Sequence, residues 1–242
     1  MPAFPEGTLF YPCVTQDGVM PSFGRLPEAP EGHKFEDGGS GLMVGDIEMV
    51  PRWAKPAGLQ YYIVKDGFAD DEFRDVEKAF REAADEWSGL DFGVHLKQTP
   101  DRTKANFLIK HFIPSKADDR TLASAFFPSD KDREVLVYRA TLVDESWRKL
   151  LKNTFLHEIG HILGLRHEFA NDPDPDPKRA GQNRESLAHL FGSVNPHSVM
   201  SYDVPPQIND LDKKDVVGFY RLLNGTKIDG VPVVDFVPEP FP

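Results

Sequence analysis

Apolar side chains recur at three- and four-residue steps through Phe73, Val76, Ala79, Phe80, Ala83, Ala84 and Trp87. That spacing lines one face of an α-helix, and the aromatic residues in it read as core. Asp70 stands where an N-cap belongs, with further acids in the first turn. Beyond this helix, short runs at 92–97, 106–111, 122–127 and 134–139 predict strands. A second long helix is expected over 142–163, its start marked by Asp144 and Glu145. A last helix covers 209–223, where Val216, Val217, Phe219, Tyr220 and Leu223 are apolar and Asn224-Gly225 is the stop. No apolar run reaches the length of a membrane span.

The first 50 residues lack such periodicity. They hold 14 of the chain's 40 glycines and prolines and eight acids against two bases. A segment of this composition has too little apolar surface for a core and reads as an extended strap or disordered tail. The expected division is therefore 1–50 as a propeptide-like segment and 51–242 as a catalytic domain, itself split into lobes 51–166 and 167–242. The whole chain carries 28 basic and 39 acidic residues, a net charge of −11, which disfavours nucleic acid or an anionic membrane as partner.

The chemistry concentrates in His157-Glu158-Ile159-Gly160-His161-Ile162-Leu163-Gly164-Leu165-Arg166-His167-Glu168. On a helix, His157 and His161 are i and i+4 and project from one face toward a single ion. Glu158 follows the first histidine and can lean toward a metal-activated water without binding the metal. His167 lies six positions past His161, too far round a continuing helix, so the chain must turn sharply before it. Gly164, lacking Cβ, can take the positive φ such a turn needs. This is the long H-E-x-x-H-x-x-G-x-x-H pattern of a zinc site with its own base.

On these residues the chain resembles the metzincins, zinc endopeptidases whose long consensus is followed by a Met-turn. Ser198-Val199-Met200-Ser201-Tyr202 supplies a matching turn, with Met200 as the expected floor beneath the histidines. Glu168 after the third histidine and Tyr202 after the methionine are similar to the astacin family, closest of the clan by these features. There the tyrosine is a displaceable ligand that stabilises the transition state, and the glutamate anchors the new N-terminus after activation. Leu42-Met43-Val44-Gly45-Asp46-Ile47 resembles the stretch of astacin propeptides whose aspartate blocks the zinc, with Met43 in place of its Phe. Cys13 invites comparison with matrixin propeptides, in which a thiolate occupies the metal, although the residues around it differ from that motif. Asp46 and Cys13 are thus two candidate zymogen switches, with plain loop structure the alternative for both. Arg52-Trp53-Ala54 and the run 59–64 resemble the mature N-terminus and first strand of astacins and matrixins. Residues 121–128 resemble the matrixin edge strand, where Ala123, Ser124 and Ala125 would let an extended peptide pair with the backbone.

The resemblance implies an α+β fold: a twisted, mostly parallel five-stranded sheet with two long helices above a cleft, and a smaller C-terminal lobe holding the Met-turn and final helix. It implies one catalytic zinc on His157, His161 and His167, Glu158 as general base, a peptide or protein substrate, and synthesis as a latent precursor. A zinc protein that uses its cleft only to bind a partner is the alternative. An extracellular setting follows from the family; no secretory signal is visible at the N-terminus, which leaves the cytoplasm as the alternative. Cys13 is the single cysteine, so there is no intramolecular disulfide. The Asp-Pro run over 171–177 offers carboxylates of the kind calcium takes, but reads equally as a stiff surface loop. His189 and His197 fall outside the ligand pattern and are expected to be ordinary surface or loop residues. The tail past Thr226 shows no chemistry. A monomer is the working assumption.

Overall fold

A computed structural model describes residues 42–46, 48–115, 121–168, 170–171, 188–192, 195–201 and 204–242. In order they form β1 (Leu42–Val44), β2 (Val50–Trp53), β3 (Ala57–Ile63), α1 (Asp70–Ser88), β4 (Val94–Gln98), β5 (Phe107–Phe112), β6 (Ala123–Ser124) and β7 (Glu134–Tyr138). There follow α2 (Arg139–Val143), α3 (Glu145–Arg148), α4 (Leu151–Ile162), β8 (Leu165–Arg166), β9 (His189–Phe191), α5 (Asp210–Arg221), β10 (Lys227–Ile228) and β11 (Val231–Phe236).

The main sheet has the order β4-β3-β5-β7-β6. Its first four strands are parallel, and β6 runs antiparallel to β7 at the edge. Along β3 the alternate residues Ala57, Leu59, Tyr61 and Ile63 are buried, the period-2 signature of a sheet with one face on the core. The helix α1 lays its stripe of Val76, Ala79, Phe80, Ala83, Ala84 and Trp87 on that face. Phe80 is the hinge of an aromatic cluster, 4.7 Å from Tyr61 and 5.0 Å from Phe155 between ring centroids. Burying each such large side chain contributes about 1.5–3 kcal/mol. Trp87 also donates its indole N–H to the carbonyl of Leu156 at 2.9 Å, which pins α1 to α4.

Several expectations are corrected. Asp70 is the first residue of α1, not its cap; Ala69 caps, its N–H satisfied by the Glu72 carboxylate at 2.8 Å. The helix expected over 142–163 is broken into α2, α3 and α4. Asp144 breaks it by turning extended (φ −91°, ψ 116°) and accepting from the N–H groups of Ser146 and Trp147, which caps α3. Aspartate inside an apparent helix competes for backbone donors in just this way. His189, expected on a loop, is a buried strand residue.

The described residues of 42–50, grouped with the strap by composition, are integrated into the fold. The strand β1 is the middle of a second, antiparallel sheet of order β8-β1-β9. The tail likewise acquires a role: β11 pairs parallel with β2 in a third sheet, and β10 completes it. Buried Arg52 joins these parts, donating to Asp235 at 2.6 Å, the Phe219 carbonyl at 2.6 Å and the Leu222 carbonyl at 2.8 Å. Among the described residues no helix is long and apolar enough to cross a membrane.

Candidate metal centre

The helix α4 carries His157 and His161 one turn apart, their ring centroids separated by 5.0 Å. The helix ends at Ile162, and Gly164 at φ 92° turns the chain, donating its N–H to the His161 carbonyl at 2.8 Å. A Cβ at this position would lie 2.3 Å from the Pro51 carbonyl oxygen, so the turn excludes any other residue on two counts. From there β8 leads straight to His167, whose ring centroid is 5.0 Å from that of His157 and 4.7 Å from that of His161.

One ring nitrogen from each histidine falls within 4.8 Å of the others. His157 Nδ1 faces the Val199 carbonyl at 2.8 Å and His161 Nδ1 faces the Leu165 carbonyl at 2.8 Å. A carbonyl only accepts, so each Nδ1 carries the proton and each Nε2 lone pair is left for the cluster. There His157 Nε2 and His167 Nε2 approach to 3.0 Å. Complete burial, with His167 beside it, holds the His157 imidazole well below its ordinary pKa, so it stays neutral as a ligand must be. Three imidazoles, two oriented by carbonyls, fit a zinc ion with an open fourth position. Glu158, next to His157, is fully buried.

Beneath the helix lies Met200. A Cβ on Gly160 would come within 2.2 Å of its sulfur. Glu168, 1% exposed, accepts from the Asn195 N–H at 3.1 Å, and its own N–H donates to the Met200 carbonyl at 3.0 Å. The Met200 segment is held in turn by Asp212, which sequence reasoning missed. The Asp212 carboxylate accepts from Ser198 Oγ at 2.7 Å, Asn195 Nδ2 at 2.9 Å, Val199 N–H at 3.0 Å and Asn209 N–H at 2.9 Å. Burial pushes its pKa up against the downward pull of these bonds. The Asn209-to-Asp212 spacing is a readable helix start, since Asn209 caps α5. Its reach into the 195–200 segment is not readable.

Ala123 and Ser124 form the edge strand β6, with Ala125 next, and all three are buried. The Phe127 ring at the end of this segment meets His161 edge-on at 5.5 Å, and the Arg166 guanidinium lies 4.8 Å above the same ring. Asp46 is not brought to the histidines. Its Oδ1 accepts from the N–H groups of Glu48 and Met49, at 2.8 and 2.9 Å, and so caps its own turn. Cys13, Tyr202 and residues 172–177 lie outside the described residues.

A five-stranded, mostly parallel sheet together with a helix-and-turn histidine cluster fits the metzincin class of metallopeptidase folds. Within it, residues 52–174 match the model of the matrixin family, and the chain belongs to that family. It is also similar to Metalloendoproteinase 1-MMP of Arabidopsis thaliana, 26% identical over 204 residues, which cover 76% of this chain and 55% of the relative. The chain thus spans about half the length of that curated relative. Matrixins use zinc, and among the described residues the three histidines form a cluster that could hold it.

Proposed function

We propose that the chain is a zinc-dependent endopeptidase made as a latent precursor. The observation that carries this is the convergence of three histidine nitrogens within 4.8 Å, with Glu158 fully buried on the same helix turn. His157, His161 and His167 would hold the ion, which when bound polarises the scissile carbonyl and lowers the pKa of water from 15.7 to about 7. Glu158 takes the proton of the attacking water and returns it to the leaving amine. Tyr202 donates a hydrogen bond to the developing oxyanion. Met200 is the floor that keeps the two helical histidines in register, and Val199 orients His157 through its carbonyl. An extended peptide lies along Ala123, Ser124 and Ala125, and its backbone pairs with that strand.

Latency is supported by burial. The three histidines, Glu158 and the edge-strand residues are each 3% exposed or less, the burial a closed, latent site calls for. The astacin-like features, Glu168 and Tyr202, are assigned by resemblance. For Asp46 to act as the blocking ligand it must surrender both turn bonds; comparing Asp46→Ala with Cys13→Ala decides between the two switches. The matrixin family supports an extracellular setting.

The test is hydrolysis of a mixed peptide library by the processed chain, with and without a zinc chelator. Chelator-sensitive cleavage is expected, and Glu158→Gln should keep its zinc while losing on the order of 10²–10⁴-fold in turnover. Undiminished hydrolysis by Glu158→Gln removes it as the base. Bound zinc without any hydrolysis favours the partner-binding alternative.

A further inference from the structure

We infer that residues 42–53 belong to the catalytic unit itself, and that the activating cut falls ahead of Leu42 and not within 46–53. This inference rests on the latent-precursor reading above. The cut is hydrolysis of one peptide bond, water supplying the new carboxylate and ammonium ends.

The strand β1 lies between its two neighbours in the sheet: Met43 and Val44 pair with Arg166 and Leu165 on one side, while Leu42, Met43 and Val44 pair with Phe191, Leu190 and His189 on the other. The residue after Arg166 is His167. The backbone that aims the third ligand is therefore held by β1. Leu42, Met43 and Val44 are at most 4% exposed, and Met43 packs on Ala170 and Ala188. The strand β2 grips the other side of the same turn. Trp53 donates its indole N–H to the Ile162 carbonyl at 2.7 Å, and the Pro51 carbonyl closes on Gly164. Between the two strands, Asp46, Glu48 and Met49 already have turn bonds made. Gly45 has φ 70°, Asp46 N–H donates to the Met49 carbonyl at 2.9 Å, and the Asp46 carbonyl accepts from His189 Nε2 at 2.8 Å. Among the described residues of 42–53 only Glu48 is exposed. A protease needs several residues of extended, accessible backbone, and tolerance to cutting follows burial and hydrogen bonding of that backbone. The described residues of this segment, with Glu48 alone exposed, offer no such stretch. Just ahead of it the sequence reads Gly38-Gly39-Ser40-Gly41, the composition of a flexible linker. Glu168 accepts from the Asn195 N–H without any new N-terminus.

The experiment uses two full-length chains, each with a recognition sequence for a site-specific protease, inserted between Gly39 and Ser40 in one and between Ile47 and Glu48 in the other. Both are cut, the freed N-terminal fragment is stripped away in mild denaturant, and zinc affinity and peptide hydrolysis are measured. The first product is expected to bind one zinc per chain and gain hydrolysis. The second, having lost β1, is expected to bind zinc about tenfold or more weakly, the usual effect of removing what orients a ligand. Equal zinc affinity in the two products overturns the inference. Should zinc follow the expected pattern while neither product cleaves peptide, the assignment of residues 42–53 to the zinc-holding unit stands, and the endopeptidase reading falls together with the activating role of the cut. Mapping the amino terminus of the natively processed protein gives an independent reading: a terminus at or before Leu42 is expected, and one after Val44 overturns it.

Discussion

Gly160 and Met200 are in contact so close that a single carbon added to the glycine would lie 2.2 Å from the methionine sulfur. The helix that carries two of the metal ligands rests directly on that side chain. Gly160→Ala gains roughly 1 kcal/mol in helix propensity, but it must push the buried Met200 aside. Overpacking of this kind costs about 1–3 kcal/mol. The variant should unfold at lower urea concentration than the parent, and a second change, Met200→Ala, should recover part of the loss. A more stable Gly160→Ala would mean the contact is looser than described.

Asp212 is surrounded by donors on both oxygens. Asp212→Asn keeps the shape but turns one acceptor into a donor facing donors. Leaving buried polar groups unsatisfied costs about 1–3 kcal/mol each, so the loss should outweigh the removal of a buried charge. Because Val199 both donates to Asp212 and orients His157, zinc affinity should fall together with stability. Unchanged zinc affinity in a destabilised variant would separate the two roles.

The metal-free chain should lose stability in acid through His157. Its folded pKa is depressed by burial and by His167, whereas in the unfolded chain it returns to about 6.5. Below that value the unfolded state binds the extra proton first, so the contribution is complete above pH of about 6.5 and is lost as pH falls toward the folded value. Thermal midpoints of the chelator-treated protein should therefore drop as pH falls below about 6.5, and His157→Asn should shrink that drop. A midpoint independent of pH across this range would contradict the assignment.

Arg52 is 1% exposed and ties β2 to α5 and β11. Arg52→Leu removes the cation and leaves two carbonyls and Asp235 without it. Breaking a buried pair from one side costs about 3–5 kcal/mol. Since Asp235 is itself partly exposed at 22%, the lower end is expected in chemical denaturation. The C-terminal strand should also become sensitive to protease. Resistance equal to the parent's would show that β11 is held by other contacts.

Four of the predicted strands and α1 were readable because each depends on a period of two or 3.6 within one short window. The central break at Asp144 was written in the sequence as well, but an aspartate marks a helix start as readily as a helix end. Composition misled at 42–50. Gly45 and two acids make the segment look like solvent-exposed loop, yet they serve a turn between two buried strands. The tail was opaque for a related reason: β11 finds its partner β2 some 180 residues earlier, at Asp235 opposite Arg52, and nothing local announces such a pair.

The histidine cluster His157, His161 and His167, the turn at Gly164 and the choice of Glu158 as candidate base are matters of spacing, because a helix has one geometry and a metal ligand one chemistry. How the third ligand is held is a matter of folding. His167 is aimed by a strand from residue 42–44, His157 by a carbonyl at 199, and that carbonyl's segment by a carboxylate on α5. These contacts join residues far apart in the chain. They exist because buried backbone groups must find partners wherever the packing brings them, and only the assembled tertiary structure selects which.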